Sequence, residues 1–165
     1  MKSQTYEGLP VLIPEHESLG FLLSDNLRLT RRIASRHFEK YQLTLAQARA
    51  LLGIFRWQGI RQVDLADFMD IQPISLARLL DHLAETGLIE RRQDPSDRRA
   101  FKLYLTSSAA PIVRLIDEAA REFQDKALAG FTPEQKKALF FGLNQLRENL
   151  TILSKEVLAL EVNEK

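Results

Sequence analysis

Apolar residues recur along this chain at two different periods, and the places where the period changes mark out its elements. Residues 18–41 read as a helix, with Leu19, Leu22, Leu29 and Ile33 on one stripe that Asn26 interrupts. Thr44-Leu45-Ala46-Gln47 is a capping box, in which the threonine hydroxyl and the glutamine amide each satisfy a backbone N–H at a helix start. It opens a second helix that runs through Leu51, Leu52 and Phe55 to Trp57 and stops near Gly59. A short third helix follows, with Val63, Leu65, Ala66 and Met69 expected inward. The chain turns at Asp70-Ile71-Gln72. Pro73 then suits the first position of a fourth helix, where its missing N–H costs nothing. Ile74, Leu76, Leu79, Leu80 and Leu83 line that helix, and Gly87 is placed to cap its C-terminus.

The period then drops to two. Phe101, Leu103 and Leu105 alternate with Lys102, Tyr104 and Thr106, which predicts a half-buried strand. Leu88 to Gln93 supplies a partner strand, and Asp94-Pro95-Ser96-Asp97 between them is strong turn chemistry. The result is a β-hairpin with Arg98 and Arg99 at its tip. Arginines so placed suit a narrow minor groove, where the potential is most negative; the alternative is a solvated surface hairpin.

Helical spacing returns after the hairpin. Thr106-Ser107-Ser108 can cap a fifth helix carrying Ile112, Ile116, Ala119 and Phe123 on one stripe. Thr132-Pro133-Glu134-Gln135 is a second capping box. In the helix it opens, Leu139, Leu143, Leu146, Leu150, Leu153, Val157 and Leu160 step alternately by four and three, an a/d heptad seam. Two copies of the chain would bury that seam against each other. A long amphipathic helix folded back on the first helix is the alternative.

Composition narrows the function classes. The chain has 165 residues and 45% hydrophobic content, which fits one domain with an oligomerisation appendage. With no cysteine, disulfides, zinc–thiolate sites and cysteine nucleophiles are excluded. His16, His37 and His82 are scattered, so no metal site is expected. The N-terminus, Met1 to Glu17, is mixed and acidic, unlike a secretory signal, and no apolar run is long enough to span a membrane. A cytoplasmic location is the expectation. Net charge is only +1, yet residues 26–62 hold eight basic side chains and one acidic one. Charge concentrated in this way suggests a local polyanion contact, but for this segment taken alone a solvated helix face is the better reading.

The third helix, tight turn and fourth helix form a helix-turn-helix, and the hairpin makes it winged. A recognition helix presents its N-terminal half to base edges in the major groove. On the fourth helix the outward polar candidates there are Gln72, Ser75 and Arg78. Asp81, His82 and Glu85 lie further along, where acids must point away from a duplex.

These residues resemble the MarR/SlyA family of winged helix-turn-helix transcriptional regulators. The resemblance runs from Leu65 through Pro73 and Arg78 to Leu83, through Gly87-Leu88-Ile89-Glu90-Arg91, and through Asp94-Pro95-Ser96-Asp97-Arg98-Arg99 to Leu103–Thr106. The recognition helix and wing are closest to the SlyA-like branch. The resemblance implies a mainly α fold with a small β-hairpin wing. It also implies a homodimer whose first, fifth and sixth helices interlock, with Leu139, Leu143, Leu146, Leu150, Leu153 and Val157 on the dimer seam. Residues 1–42 would form an N-terminal segment and dimerisation helix, 43–106 the DNA-binding domain, and 107–165 the C-terminal dimerisation helices. Ser75 and Arg78 would reach bases, Arg98 and Arg99 would enter the minor groove, and Asp97 would position the wing arginines. Arg49 and Arg61 are expected at phosphates, from their charge near helix starts. Family members often bind small aromatic acids or phenols in a crevice beside the dimer helices. Arg28 matches a first-helix arginine that can face a carboxylate there. Ala46, Ala48 and Leu52 stand where SlyA-like salicylate binders offer polar and aromatic groups.

The function expected is therefore a dimeric, sequence-specific DNA-binding regulator, a repressor responsive to a small effector, on a pseudo-palindromic duplex site. The alternative is a winged-helix protein-interaction module. Catalysis is disfavoured: Glu90, Asp94 and Asp97 are clustered carboxylates, but the surrounding arginines lower carboxylate pKa values, the wrong direction for a general acid. No cofactor is expected.

Overall fold

The computed structural model describes Pro14, residues 18–39 and residues 41–163, the side chains at 98, 99 and 157–163 excepted. Pro14 apart, the segment expected before residue 18 lies outside the described residues. The chain divides into two compact units, residues 1–117 and 118–165.

The first unit holds the winged helix-turn-helix. Helix α1 spans Leu19–Glu39 and α2 spans Leu45–Arg56. The capping box of α2 forms as its sequence predicts: the Gln47 amide donates to Thr44 Oγ1 at 3.2 Å, and the Thr44 amide donates to Gln47 Oε1 at 2.7 Å. Ala48, Ala50, Leu51 and Ile54 then enter the core. Beyond α2 comes an element that periodicity did not reveal, the two-residue strand β1, Ile60–Arg61. Gly59 leads into it at φ 83°, where a Cβ would meet the Tyr104 hydroxyl at 2.9 Å, so both conformation and space demand glycine.

Helix α3 spans Gln62–Met69 and ends at Asp70, which adopts the left-handed conformation. Helix α4 spans Pro73–Glu85, with proline in its first turn. Its C-terminus closes in a Schellman motif. The Leu88 amide bonds Leu83 O and the Gly87 amide bonds Ala84 O, both at 2.9 Å, with Gly87 at φ 71°. Strands β2, Ile89–Asp94, and β3, Asp97–Leu105, form the hairpin. They join β1 in an antiparallel sheet of order β1-β3-β2. Leu65, Met69, Leu76, Leu80, Leu83 and Leu103 are completely or almost completely buried and tie both helices to the sheet.

Three expected core residues face outward instead. Val63 is 56% exposed and Ile74 66%. Each lies two residues before a buried leucine, about 200° around its helix, and so on the opposite face. Phe101 shares a sheet face with Leu103 but sits one pair nearer the hairpin tip, beyond the buried region, and is exposed.

The expected cap at Thr106 also takes another form. Residues Ser107–Ala109 make a single 3-10 turn, and the Thr106 hydroxyl donates to Gly87 O at 2.6 Å instead of capping a helix. Helix α5, Ala110–Ala127, follows directly, and its course crosses the division between the units.

The second unit contains α6, Pro133–Asn163. Its capping box forms, with the Thr132 amide donating to Gln135 Oε1 at 2.9 Å and the Gln135 amide to Thr132 Oγ1 at 3.2 Å. Hydrogen bonds from its own amide and from Thr132 hold the Glu134 carboxyl below its ordinary pKa. Leu139, Leu143, Leu150 and Leu153 are exposed and Leu146 is half-buried; the Val157 side chain lies outside the described residues.

Candidate nucleic-acid interface

The α3–α4 turn is set by backbone bonds. The Asp70 amide reaches Asp67 O and the Ile71 amide reaches Ala66 O, which turns the chain sharply into α4. Gln72 is the N-cap of α4, but its side chain makes no capping bond. With Leu76, Leu80 and Leu83 buried, the opposite face of the first turns presents Gln72, Ile74, Ser75 and Arg78 to solvent. Three of these are the polar residues picked out from the sequence. Ile74 was missed, because apolar spacing alone placed it inward. An exposed isoleucine among hydrogen-bonding side chains can meet the C5-methyl of thymine.

The rest of α4 is braced by β2. Arg91 Nη1 pairs with Asp81 Oδ1 at 2.7 Å, and Arg91 Nη2 reaches Ala77 O at 3.5 Å. This pairing neutralises an acid on α4. On the neighbouring rungs Arg92 pairs with Glu90 and lies over the Tyr104 ring, 4.4 Å from its centroid.

At the wing, the register shifts between Gln93 and Asp94. Asp94 is 1% exposed, yet charged. Its Oδ1 accepts from the Ser96 amide at 2.9 Å and the Ser96 hydroxyl at 2.7 Å, and lies 3.5 Å from Lys102 Nζ. Its Oδ2 accepts from Arg61 Nη2 at 3.1 Å. The two Ser96 bonds, followed by Arg61 and Lys102, outweigh burial and hold its carboxyl well below the ordinary range. Such a group stays ionised, which suits an electrostatic anchor and not a proton donor. Asp97 begins β3 and is exposed. Arg98 and Arg99 follow it in the strand, with side chains outside the described residues.

The two arginines expected at phosphates both have intramolecular partners. Arg61 is the N-cap residue of α3 and holds Asp94, leaving its side chain 43% exposed. Arg49 donates to Met69 O, at the C-terminus of α3, at 3.2 Å. The residues expected at an effector crevice differ in their exposure. Ala48 is buried in the core, Ala46 is exposed, Leu52 is half-buried, and Arg28 on α1 pairs with Asp25 one turn earlier. None of them lines the shallow groove of about 570 Å³ between Trp57, Gln58, Gly59, Ile60, Asp64 and Phe68. No cluster of three potential metal ligands occurs among the described residues.

A family model described as MarR family matches residues 43–101, the stretch from the start of α2 through the hairpin tip. A crystal structure of MarR is 32% identical, covers 93% of this chain and 99% of its own, and superposes with a TM-score of 0.76. A MarR transcriptional regulator from Methanosarcina mazei Go1 is 25% identical, covering 81% of this chain and 97% of its own, with a TM-score of 0.74. The S. aureus MepR–DNA complex is alike in fold, with 20% identity, covering 81% of this chain and 96% of its own, and a TM-score of 0.67.

Proposed function

The chain belongs to the MarR family of winged-helix transcriptional regulators, and from that premise we propose that it is a homodimer that binds a pseudo-palindromic DNA site and represses transcription until a small effector displaces it. The observation that carries the reading is the exposed group Gln72, Ile74, Ser75 and Arg78 at the start of α4, beside a hairpin whose turn is anchored by a buried carboxylate. In this reading residues 43–106 read the duplex, while 1–42 and 107–165 join two copies. Paired recognition helices enter successive major grooves about 34 Å apart. Ser75 and Arg78 meet base edges, Arg98 and Arg99 enter the minor groove, and Asp97 helps to position them. Arg49 and Arg61 approach phosphates with the donors that their internal partners leave over.

The exposed leucines of α6 support pairing of two copies, since contiguous apolar surface of this kind marks an interaction site. Effector binding is the finer part of the proposal. A small aromatic acid at Arg28 would compete with Asp25 for the guanidinium. A cytoplasmic location goes with the role; no described helix is long and apolar enough to cross a membrane.

A mobility-shift titration with the DNA upstream of its own gene tests the reading. The expected complex weakens steeply with salt, because phosphate contacts release counterions. Leu143→Asp with Leu150→Asp supplies the second arm. Both leucines are already exposed in the single chain, so these changes leave the fold intact but convert the dimer to monomer in sedimentation and abolish the shift. A complex indifferent to salt, or none on any duplex, overturns the reading and favours a protein-interaction module.

A further inference from the structure

The wing of this chain is held by a group that the turn itself does not require to be buried. An aspartate two residues before a serine amide makes a stable turn at the surface, with its outer oxygen in water. Here the carboxylate is almost completely buried instead, which is unfavourable for a charge unless it is paired and hydrogen-bonded. What burial adds is reach. Oδ1 serves the turn through Ser96 and faces Lys102 of β3, while Oδ2 holds Arg61 of β1. One side chain thus joins all three strands.

The link matters because β1 pairs with β3 through only two residues, Ile60 with Leu103 and Arg61 with Lys102. So short a ladder constrains the tilt of a hairpin weakly, and a hairpin is a lever: each residue extends it by about 3.3 Å. The Asp94–Arg61 pair fixes the lever near its tip and not at its base. Arg61 is also the N-cap residue of α3, so the same pair ties the turn to the helix-turn-helix. We propose that Asp94 is a further positioning residue of the wing: through Arg61 and Lys102 it holds the turn, and the two arginines that follow it, at a set angle to the recognition helix. Arg61 then acts largely through Asp94. The proposal rests on the reading of the chain as a duplex-binding regulator.

The test uses the full-length protein and a duplex selected from a randomised pool, with a second duplex shortened to remove the outer base pairs that the wings would cover. The variants are Asp94→Asn, which keeps the turn acceptor but removes the charge, Arg61→Gln, and the double variant. Backbone amide exchange over residues 97–103 is measured without DNA. In both single variants exchange should quicken, and affinity for the long duplex should fall about tenfold, the loss expected for one charge-paired contact. Asp94→Asn should barely change affinity for the short duplex, while Arg61→Gln, which also gives up a phosphate contact, should lose a little on both duplexes; the double variant should be no weaker than Arg61→Gln alone.

Equal losses on both duplexes would make Asp94 a general stabiliser and overturn the proposal, as would unchanged exchange or additive losses. Should Asp94→Asn fail to fold, Arg61→Gln carries the test from a half-exposed position through amide exchange without DNA, which loss of a phosphate contact would not move. If the parent does not distinguish the two duplexes but exchange still quickens in the variants, the duplex-binding role of the wing fails while the link between Asp94 and the hairpin survives.

Discussion

The start of α4 and the turn of the wing differ in how far the protein satisfies its own polar groups. At the start of α4, Gln72 makes no capping bond, and Ser75 and Arg78 are exposed without a side-chain hydrogen bond or ion pair among the described residues. At the wing, Asp94 meets Ser96, Arg61 and Lys102 within a buried environment. The first region leaves donors and acceptors for a partner to complete. The second is complete before any partner arrives, so its geometry is settled in advance and less ordering is needed on binding. A side chain that reads is thus distinguished from one that positions by whether its hydrogen-bonding capacity is still open.

Arg78→Ala breaks the comparison most sharply. Removing a two-pronged arginine–guanine contact costs about 1–3 kcal/mol, roughly fivefold to more than a hundredfold in affinity. Because Arg78 has no internal partner among the described residues, thermal stability should change little. Sequence preference should relax at one position of each half-site, which a competition series with single-base variants would measure. A fall in affinity shared equally by all sequences would instead make Arg78 a phosphate contact.

The turn of the wing should respond in the opposite way, through stability. Asp94 has its carboxyl depressed in the folded state by Ser96, Arg61 and Lys102. Its contribution is therefore fully present above the ordinary aspartate pKa of about 4 and is lost as pH falls below it. The single tryptophan, Trp57, lies in the same unit and can report unfolding by fluorescence. The stability gap between the parent and Asp94→Asn should hold steady from neutral pH to about 5 and narrow towards pH 3. A gap that widened in acid would mean that the carboxylate is not held ionised by these partners.

Much of this division was legible in the sequence where local chemistry decides the outcome. The boxes at Thr44 and Thr132, proline at the start of α4 and glycine after its end are each set by a few neighbouring residues, and all four formed. The winged helix-turn-helix could be read from their order. What could not be read depends on contacts distant in sequence. Strand β1 is only two residues long and exists because β3 pairs with it, so it leaves no periodic trace. The Thr106 hydroxyl turns to Gly87, nineteen residues away, in place of the nearby helix start. Asp94 read as a turn residue, and its burial depends on Arg61, thirty-three residues earlier. Arg49 and Arg61 were legible as positive charge, but their internal partners were not.

Ile74 sharpens the comparison at its finest scale, because it is an open site with no hydrogen bond to make. Apolar spacing counted it with Leu76, Leu79, Leu80 and Leu83, but α4 turns it outward, 66% exposed between Pro73 and Ser75. If the start of α4 is completed by a partner, the natural complement of this side chain is a thymine methyl, the only apolar group on a major-groove edge. Replacing thymine by deoxyuridine removes that methyl and nothing else. In a selected duplex, one such substitution in a single half-site should weaken parent binding several-fold, the scale of burying one methyl group. Ile74→Ala should bind the two duplexes alike, since the variant no longer reaches the methyl. If every thymine can be exchanged without effect while Arg78→Ala still relaxes preference, Ile74 is a bystander on a helix that reads by hydrogen bonds alone.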